Sequence, residues 1–300
     1  MRTRSIFFIC QLTFFVILSC EREEKSLYVK EIESWQEERI NGLKKPDGWL
    51  SLVGLYWLNN GENTFGSDSS NDIVFPQRKC PGNMGKFYLN NGRVSVKINE
   101  RVEIYSDSVL VDSIYMLNDT EGSPTTLRYG ALSWYIIKRG RHKIGVRLKD
   151  SESDLPQKFK GIDTFPIDDK WKVKAKFEAY IPVKTVKIPT IINTIDEEKC
   201  PGKLVFEIDD TKYSLDVLEG KNTFFIIFGD ETNGEATYGA GRFLTVNKPD
   251  SVGKTFIDFN KAYNPPCVFT KYATCPLPPE QNMLLLKVTA GEKMFGEGHH

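Results

Sequence analysis

The chain has 300 residues, 40% of them hydrophobic and 27% charged, with 40 basic and 40 acidic side chains balancing to a formal charge of zero. This composition supports an ordinary globular core and a length of one or two domains. It lacks the basic excess or Lys/Arg block that nucleic-acid binding requires, and its scattered Gly and Pro form no low-complexity pattern.

Residues 1–19 read as a signal peptide. Arg2 and Arg4 precede an apolar run over 6–18 that is too short to span a bilayer. Ile17-Leu18-Ser19-Cys20 resembles a bacterial lipobox. That resemblance implies an acylated Cys20, palmitate included, as the first residue of the mature chain. Several buried acyl chains, at about 0.8 kcal/mol per methylene, make a durable anchor. Residues 20–25 form a lipidated linker, in which Glu21-Arg22-Glu23-Glu24 resembles the charged tag that carries some lipoproteins to the cell surface. The expected localisation is the bacterial cell envelope, with the outer membrane as the address and the membrane itself as the first partner.

Residues 26–45 predict one N-terminal helix. Tyr28, Ile32, Trp35 and Leu43 recur at helical spacing, and Gly42 and Lys45-Pro46 mark the end. A helix of this kind covers an open end of the fold. Beyond Pro46 the pattern is mainly β. A first unit, 46–150, carries candidate strands over 50–58, 72–75, 85–89, 93–98, 102–105, 109–116, 126–129, 132–139 and 142–148. Asn90-Asn91-Gly92 and Arg139-Gly140-Arg141 read as hairpin turns. A polar linker, 151–171, follows. The second unit, 172–293, carries candidates over 172–181, 184–189, 202–208, 211–219, 223–228, 242–246, 254–259 and 283–290. Its Pro/Cys-rich loop runs from Asp258 to Asn282. Residues 294–300 read as a disordered tail. The fold class is therefore two β-sandwich or barrel-like units with one N-terminal helix.

The stretches DGWLSLVGLYWLNNGENTFGSDSSNDIVFP, YGAGRFL, DFNKAYNPPC with ATCPLPPEQN, and AGEK resemble a bacterial family catalogued as domain of unknown function 1684, from about Trp35 to Lys293. The resemblance implies kinship and no particular activity. The first unit also resembles a forkhead-associated β-sandwich through Leu58 to Gly66 and Ser70 to Pro76. Phosphothreonine readers of that kind need an arginine after the glycine and a Ser-Arg-x-His loop. Here Gly66 is followed by Ser67-Asp68, and the later loop is Cys80-Pro81-Gly82-Asn83-Met84-Gly85. No phosphothreonine peptide is expected as a partner.

The chemistry on offer is limited. Only His142, His299 and His300 exist, too few for a Ser-His-Asp triad or a His-rich zinc site, and no cofactor or metal motif appears. Asp230 and Glu235 read either as a carboxylate pair of glycosidase type or as a solvated acidic loop or calcium ligand set. Cys80, Cys200, Cys267 and Cys275 remain after Cys10 and Cys20 are set aside. In an oxidising compartment they are expected to bridge, Cys267 with Cys275 inside one loop and Cys80 with Cys200 across the units, with a four-cysteine zinc site or a redox thiol pair as the alternatives. Tyr238, Arg242, Asp258, Asn260, Asn264, Asn282 and Glu292 gather in the C-terminal third. They read as a polar pocket for a small polar or anionic ligand with Arg242 as its charge partner. The competing reading pairs Arg242 with Asp258 internally and spends the asparagines on loop backbone. Function is expected to be a ligand-binding or structural module of the envelope. A hydrolase acting on an envelope glycan or ester through the Arg242/Asp258 region is the alternative.

Overall fold

Ser26 opens the first element with its side chain, accepting a hydrogen bond from the Val29 N–H at 3.2 Å. This N-cap starts helix α1 (Leu27–Lys44), which ends at Lys45-Pro46, as expected from the restriction proline places on its predecessor. The computed structural model describes residues 26–296. The signal peptide, Cys20 and its linker, and His299 and His300 lie outside the described residues. Among those described, no helix is long and apolar enough to cross a membrane.

Eleven strands follow in the first unit. They are β1 (Leu52–Trp57), β2 (Gly61–Gly66), β3 (Ile73–Val74), β4 (Gly85–Asn90), β5 (Arg93–Ile98) and β6 (Tyr105–Ser106). After them come β7 (Val109–Leu110), β8 (Ser113–Met116), β9 (Thr126–Tyr129), β10 (Leu132–Arg139) and β11 (Lys143–Asp150). They form a six-stranded sheet in the order β1-β11-β10-β9-β6-β7 and a five-stranded sheet in the order β3-β2-β4-β5-β8. One core, centred on Trp134, Phe65, Phe75 and Phe87, draws side chains from both sheets, so this unit is a sandwich. Its tightest turn, Asn91-Gly92, has φ of 52° and 78°, the left-handed pair a two-residue hairpin requires.

After a short helix α2 (Leu155–Lys158), the second unit begins with the two longest strands, β12 (Lys172–Pro189) and β13 (Ile195–Ile208). Then come β14 (Thr211–Glu219), β15 (Thr223–Phe228), β16 (Arg242–Asn247) and β17 (Lys254–Asp258). The sheet order is β16-β15-β14-β13-β12-β17, and its two edges approach, with Thr255 Oγ1 donating to the Asn247 carbonyl at 2.9 Å. The result is a nearly closed barrel. Leu204, Phe206, Leu215, Phe228, Leu244 and Phe259 fill it; the Phe259 ring lies 5.7 Å from those of both Phe206 and Phe228. The barrel interior is packed core rather than a chamber.

The structure departs from the sequence pattern in instructive places. The candidates at 172–181 and 184–189 are one strand: Ala179 pairs with Gly202 and Lys184 with Cys200, so Tyr180 to Val183 bulge outward without breaking it. Residues 283–290 are not a strand, because their backbone groups bond to loops and to a side chain instead of a ladder. Leu284 N–H donates to Gly229 and Glu231 N–H to Leu286, while the Val288 and Ala290 carbonyls face Arg242. Within the stretch read as a tail, Phe295 stacks against Phe159 and Phe269.

The two units are joined by more than the linker. The outer half of the β12–β13 hairpin reaches the β10–β11 turn, where the Gly140 N–H donates to Asp196 Oδ1 at 2.8 Å. It also holds the Pro/Cys-rich loop, through Ile191 N–H to the Cys275 carbonyl at 3.0 Å and Leu277 N–H to the Pro189 carbonyl at 2.8 Å. Helix α1 closes the same side, with Leu43 packing among Leu50, Phe159, Val268 and Phe269.

Candidate functional site

Arg242 leads β16, preceded by Gly241 at φ 84°, where a Cβ would sit 2.5 Å from the Phe228 carbonyl oxygen and from the ring of Pro278. This crowding seats Arg242 inside the unit, fully buried. Its Nη2 pairs with Asp230 Oδ2 at 2.8 Å and donates to the Val288 carbonyl at 3.0 Å. Its Nη1 donates to the carbonyls of Ala290 and Glu292. Burial pulls the guanidinium below its ordinary pKa and the Asp230 charge pulls it back up. Arg242 is internally paired, but with Asp230 rather than Asp258, and it holds the irregular C-terminal segment in place of a β ladder.

The other residues of the expected pocket are also engaged, although Asp258 Oδ2 and Asn264 Oδ1 are buried without a hydrogen-bond partner. Asp258 Oδ1 accepts from the Tyr28 hydroxyl of α1 at 2.9 Å and from the Asn260 N–H at 3.1 Å. Asn260 brackets Asp168, donating to its carbonyl at 2.9 Å and accepting from its N–H at 3.2 Å. Glu292 takes Arg39 Nε at 3.2 Å on one oxygen and the Asn264 N–H at 2.6 Å on the other. Asn264 in turn donates to the Lys293 carbonyl at 2.8 Å. Burial pushes the Glu292 carboxyl above the ordinary range, against the lowering pull of Arg39. Asn282 stands apart from these. Its side chain accepts from the Asp216 N–H at 2.7 Å and donates to the Asp216 and Ile227 carbonyls, both at 2.9 Å. It splices β14 to β15 where their direct pairing is confined to Leu218 and Glu219.

Asp230 is equally committed: Oδ1 accepts from the N–H and hydroxyl of Thr232, while Glu235 is exposed with Lys287 at 3.8 Å. The two carboxylates form no open pair for glycoside chemistry. The forkhead-like loops also bond to each other, with Ser67 N–H donating to Pro81 and Asp68 N–H to Gly82 at 3.0 and 2.9 Å.

All four cysteines among the described residues are free thiols, which corrects both expected bridges. Cys80 packs on the sandwich core, whereas Cys200 lies in β13 of the other unit with its thiol toward the Gly202 carbonyl. Cys267 and Cys275 are neighbours without a bond: the Cys267 N–H donates to Cys275 Sγ at 3.1 Å. Contact with the Cys275 thiol lowers the Cys267 pKa, and the Tyr238 hydroxyl adds a second hydrogen bond in the same direction. Tyr238 is thereby tied to the loop sulfur. Among the described residues no group of His, Cys, Asp or Glu is arranged to hold a metal ion.

The open chemistry lies elsewhere, in a cleft of about 690 Å³ between the units. The β10–β11 hairpin supplies Lys138, Arg139, Arg141 and Arg147; the β12–β13 arm supplies Ile188, Asp196, Glu197 and Glu198. The barrel contributes Leu218, Phe225, Ile227 and Phe243, and the Pro/Cys loop contributes Thr274 and Cys275. Two arginines converge on one hydroxyl: Arg139 Nε donates to Thr274 Oγ1 at 2.8 Å and Arg147 Nη2 at 3.0 Å. Arg139 also pairs with Asp119 at 2.7 Å. Arg147 has no carboxylate within ion-pair distance among the described residues, although it is only 2% exposed. Its Nε has no hydrogen-bond partner, and its guanidinium lies 5.4 Å from the centre of the Trp49 ring. Toward the mouth, the Glu198 carboxyl is pushed up by the desolvating walls and then by Asp196. Sequence patterning passed over Arg147 because Ile144, Val146 and Leu148 face the sandwich core, leaving Arg147 on what reads as the solvent face.

The fold and cleft thus define a two-unit β protein with a pocket at the unit boundary, lined by basic, acidic and apolar side chains. Residues 157–293 match the family described as Protein of unknown function (DUF1684). The match is shorter than the resemblance from Trp35 implied, and leaves the sandwich outside it. A solved structure, the solution NMR structure of an uncharacterized protein from Haloarcula marismortui, is 29% identical and covers 47% of this chain and 80% of its own. Its TM-score of 0.39 is too loose an overlap to assign a fold. No curated protein matches.

Proposed function

We propose that this protein is a small-ligand-binding module of the bacterial cell envelope, held to the membrane by an acylated Cys20, that takes an anionic molecule in the inter-unit cleft. Arg147 is the charge partner. The carrying observation is a guanidinium 2% exposed on a cleft wall with no carboxylate to neutralise it. An uncompensated buried charge costs several kcal/mol, and folds keep such groups mainly where function uses them. A cleft of this size suits a small molecule, and unit boundaries are where such sites concentrate. The pocket first read around Arg242 and Asp258 serves instead to tie down the C-terminal segment. The hydrolase reading placed there finds no reachable acid, base or nucleophile to support it.

Ligand-dependent melting tests the proposal. Inorganic phosphate should raise the melting temperature of the mature chain in proportion to the logarithm of its concentration. Arg147→Met should abolish the rise, and an undiminished rise in that variant would sink the assignment.

A further inference from the structure

We infer that the ligand is an amphiphile with one anionic head, seated at Arg147, and an apolar tail that runs from the cleft beneath helix α1. The inference rests on the reading of the cleft as an anion site and specifies what that site takes. The cleft shares its apolar wall with a neighbouring depression. Trp49, Phe225, Phe243 and Pro266 line the cleft and also line a second depression of about 500 Å³, bounded further by Trp35 of α1 and by Tyr263. The route from Arg147 is therefore cationic at one end and aromatic or aliphatic along its length. Phe225 and Phe243 meet edge to face at 5.0 Å, and Phe243 and Tyr263 at 5.8 Å, a rigid apolar track.

Charge along the route selects a single negative group. The tail branch contains one cation, Arg39, and it is already engaged by Glu292 at 3.2 Å and by the Asn264 carbonyl at 2.9 Å. Glu38 borders the same branch. A second anionic group there meets an acidic neighbour and no free donor. At the cleft mouth Asp196, Glu197, Glu198 and Glu219 oppose further negative charge. Arg147 is left as the one buried cation among the described residues whose charge a ligand completes, and its unpartnered Nε offers a carboxylate a charge-assisted hydrogen bond.

A homologous series tests this on the mature chain, residues 20–300, produced without acylation and kept free of detergent. Straight-chain monocarboxylates from butyrate to dodecanoate, each below its aggregation concentration, are titrated and followed by calorimetry. Affinity should rise roughly two- to fourfold per methylene, then level off. Dodecanedioate and dodecyltrimethylammonium should bind at least tenfold more weakly than dodecanoate, and Arg147→Met should weaken dodecanoate at least tenfold. If neither phosphate nor any carboxylate binds, the anion site itself is refuted and the inference with it. If phosphate binds through Arg147 but affinity is flat with chain length, the inference alone is overturned. A gradient unchanged in Arg147→Met, or shared by the ammonium, places the tail elsewhere and overturns it too. Should Arg147→Met fail to fold, competition in the parent chain decides. Mutual exclusion of phosphate and dodecanoate supports a shared head site, and independent binding overturns it.

Discussion

Arg242 and Arg147 are both withdrawn from water, at 0% and 2% exposure, yet their surroundings differ in kind. Arg242 meets Asp230 and the carbonyls of Val288, Ala290 and Glu292. Arg147 meets a threonine hydroxyl at 3.0 Å, a tyrosine hydroxyl at 3.5 Å and a tryptophan face. In the first, a buried charge is neutralised and its Nη donors are used to organise chain that has no ladder of its own, although its Nε, like that of Arg147, has no partner. In the second, the charge is held in place but left electrically incomplete. Burial of an arginine therefore says little about its purpose until its anions are counted.

The largest expected effect is on the neutralised side. Arg242→Met leaves Asp230 as a buried carboxylate without its cation and strips three carbonyls of their donor. A loss of about 3–5 kcal/mol is expected, read by urea unfolding; a loss under about 1 kcal/mol would erase the contrast between the two arginines. Asn282→Ala extends the same test to a neutral residue. It orphans the N–H and carbonyl of Asp216 and the carbonyl of Ile227 where β14 and β15 part. About 2–3 kcal/mol should be lost, with amide exchange quickening first in those two strands.

On the incomplete side the sign changes. Arg147→Met removes a buried charge without orphaning another, so stability should stay within about 1 kcal/mol of the parent or rise. Phosphate-dependent stabilisation should vanish at the same time. Severe destabilisation would mean that Arg147 is structural after all.

The smallest effect concerns Glu292, whose folded-state pKa is raised above its ordinary value of 4.5, first by burial. A raised carboxyl binds its proton more tightly when folded. Its contribution to stability is therefore complete below the ordinary value and lost as pH climbs through the folded value. Unfolding measured across that window should show stability falling with pH by less than one proton's worth of slope. Glu292→Gln should flatten the curve, and an unaltered slope would assign the effect to another group.

Much of the fold was legible because its signals are local. Alternation marked β5, β9, β10, β14 and β15 at their observed limits, and Ser26 and Lys45-Pro46 bounded α1. The outer part of β13, beginning at Ile195, was missed because Asp196-Glu197-Glu198-Lys199 reads as a charged loop. Its pairing with β12 supplies the order that its composition does not advertise. The candidate at 283–290 failed for the opposite reason, an apolar run that packs without pairing. The C-terminal polar residues were rightly singled out as unusual, but their spacing could not show whether they faced a ligand or one another.

The amino-acid order by itself determined the β character, the N-terminal helix, the hairpin turns and the oddity of Arg242, since each depends on neighbours a few positions away. Only the tertiary structure decided the site. Along β11, Ile144, Val146 and Leu148 turn into the sandwich core, which by strand alternation sends Gly145 and Arg147 to the opposite face. In an isolated sandwich that face meets water and an arginine there is ordinary. The barrel, the β12–β13 arm and the Pro/Cys loop close over it from more than forty residues downstream. Docking removes the water that would have solvated Arg147 and brings Thr274 but no carboxylate, because desolvation is set by what packs against a residue and not by what precedes it in the chain.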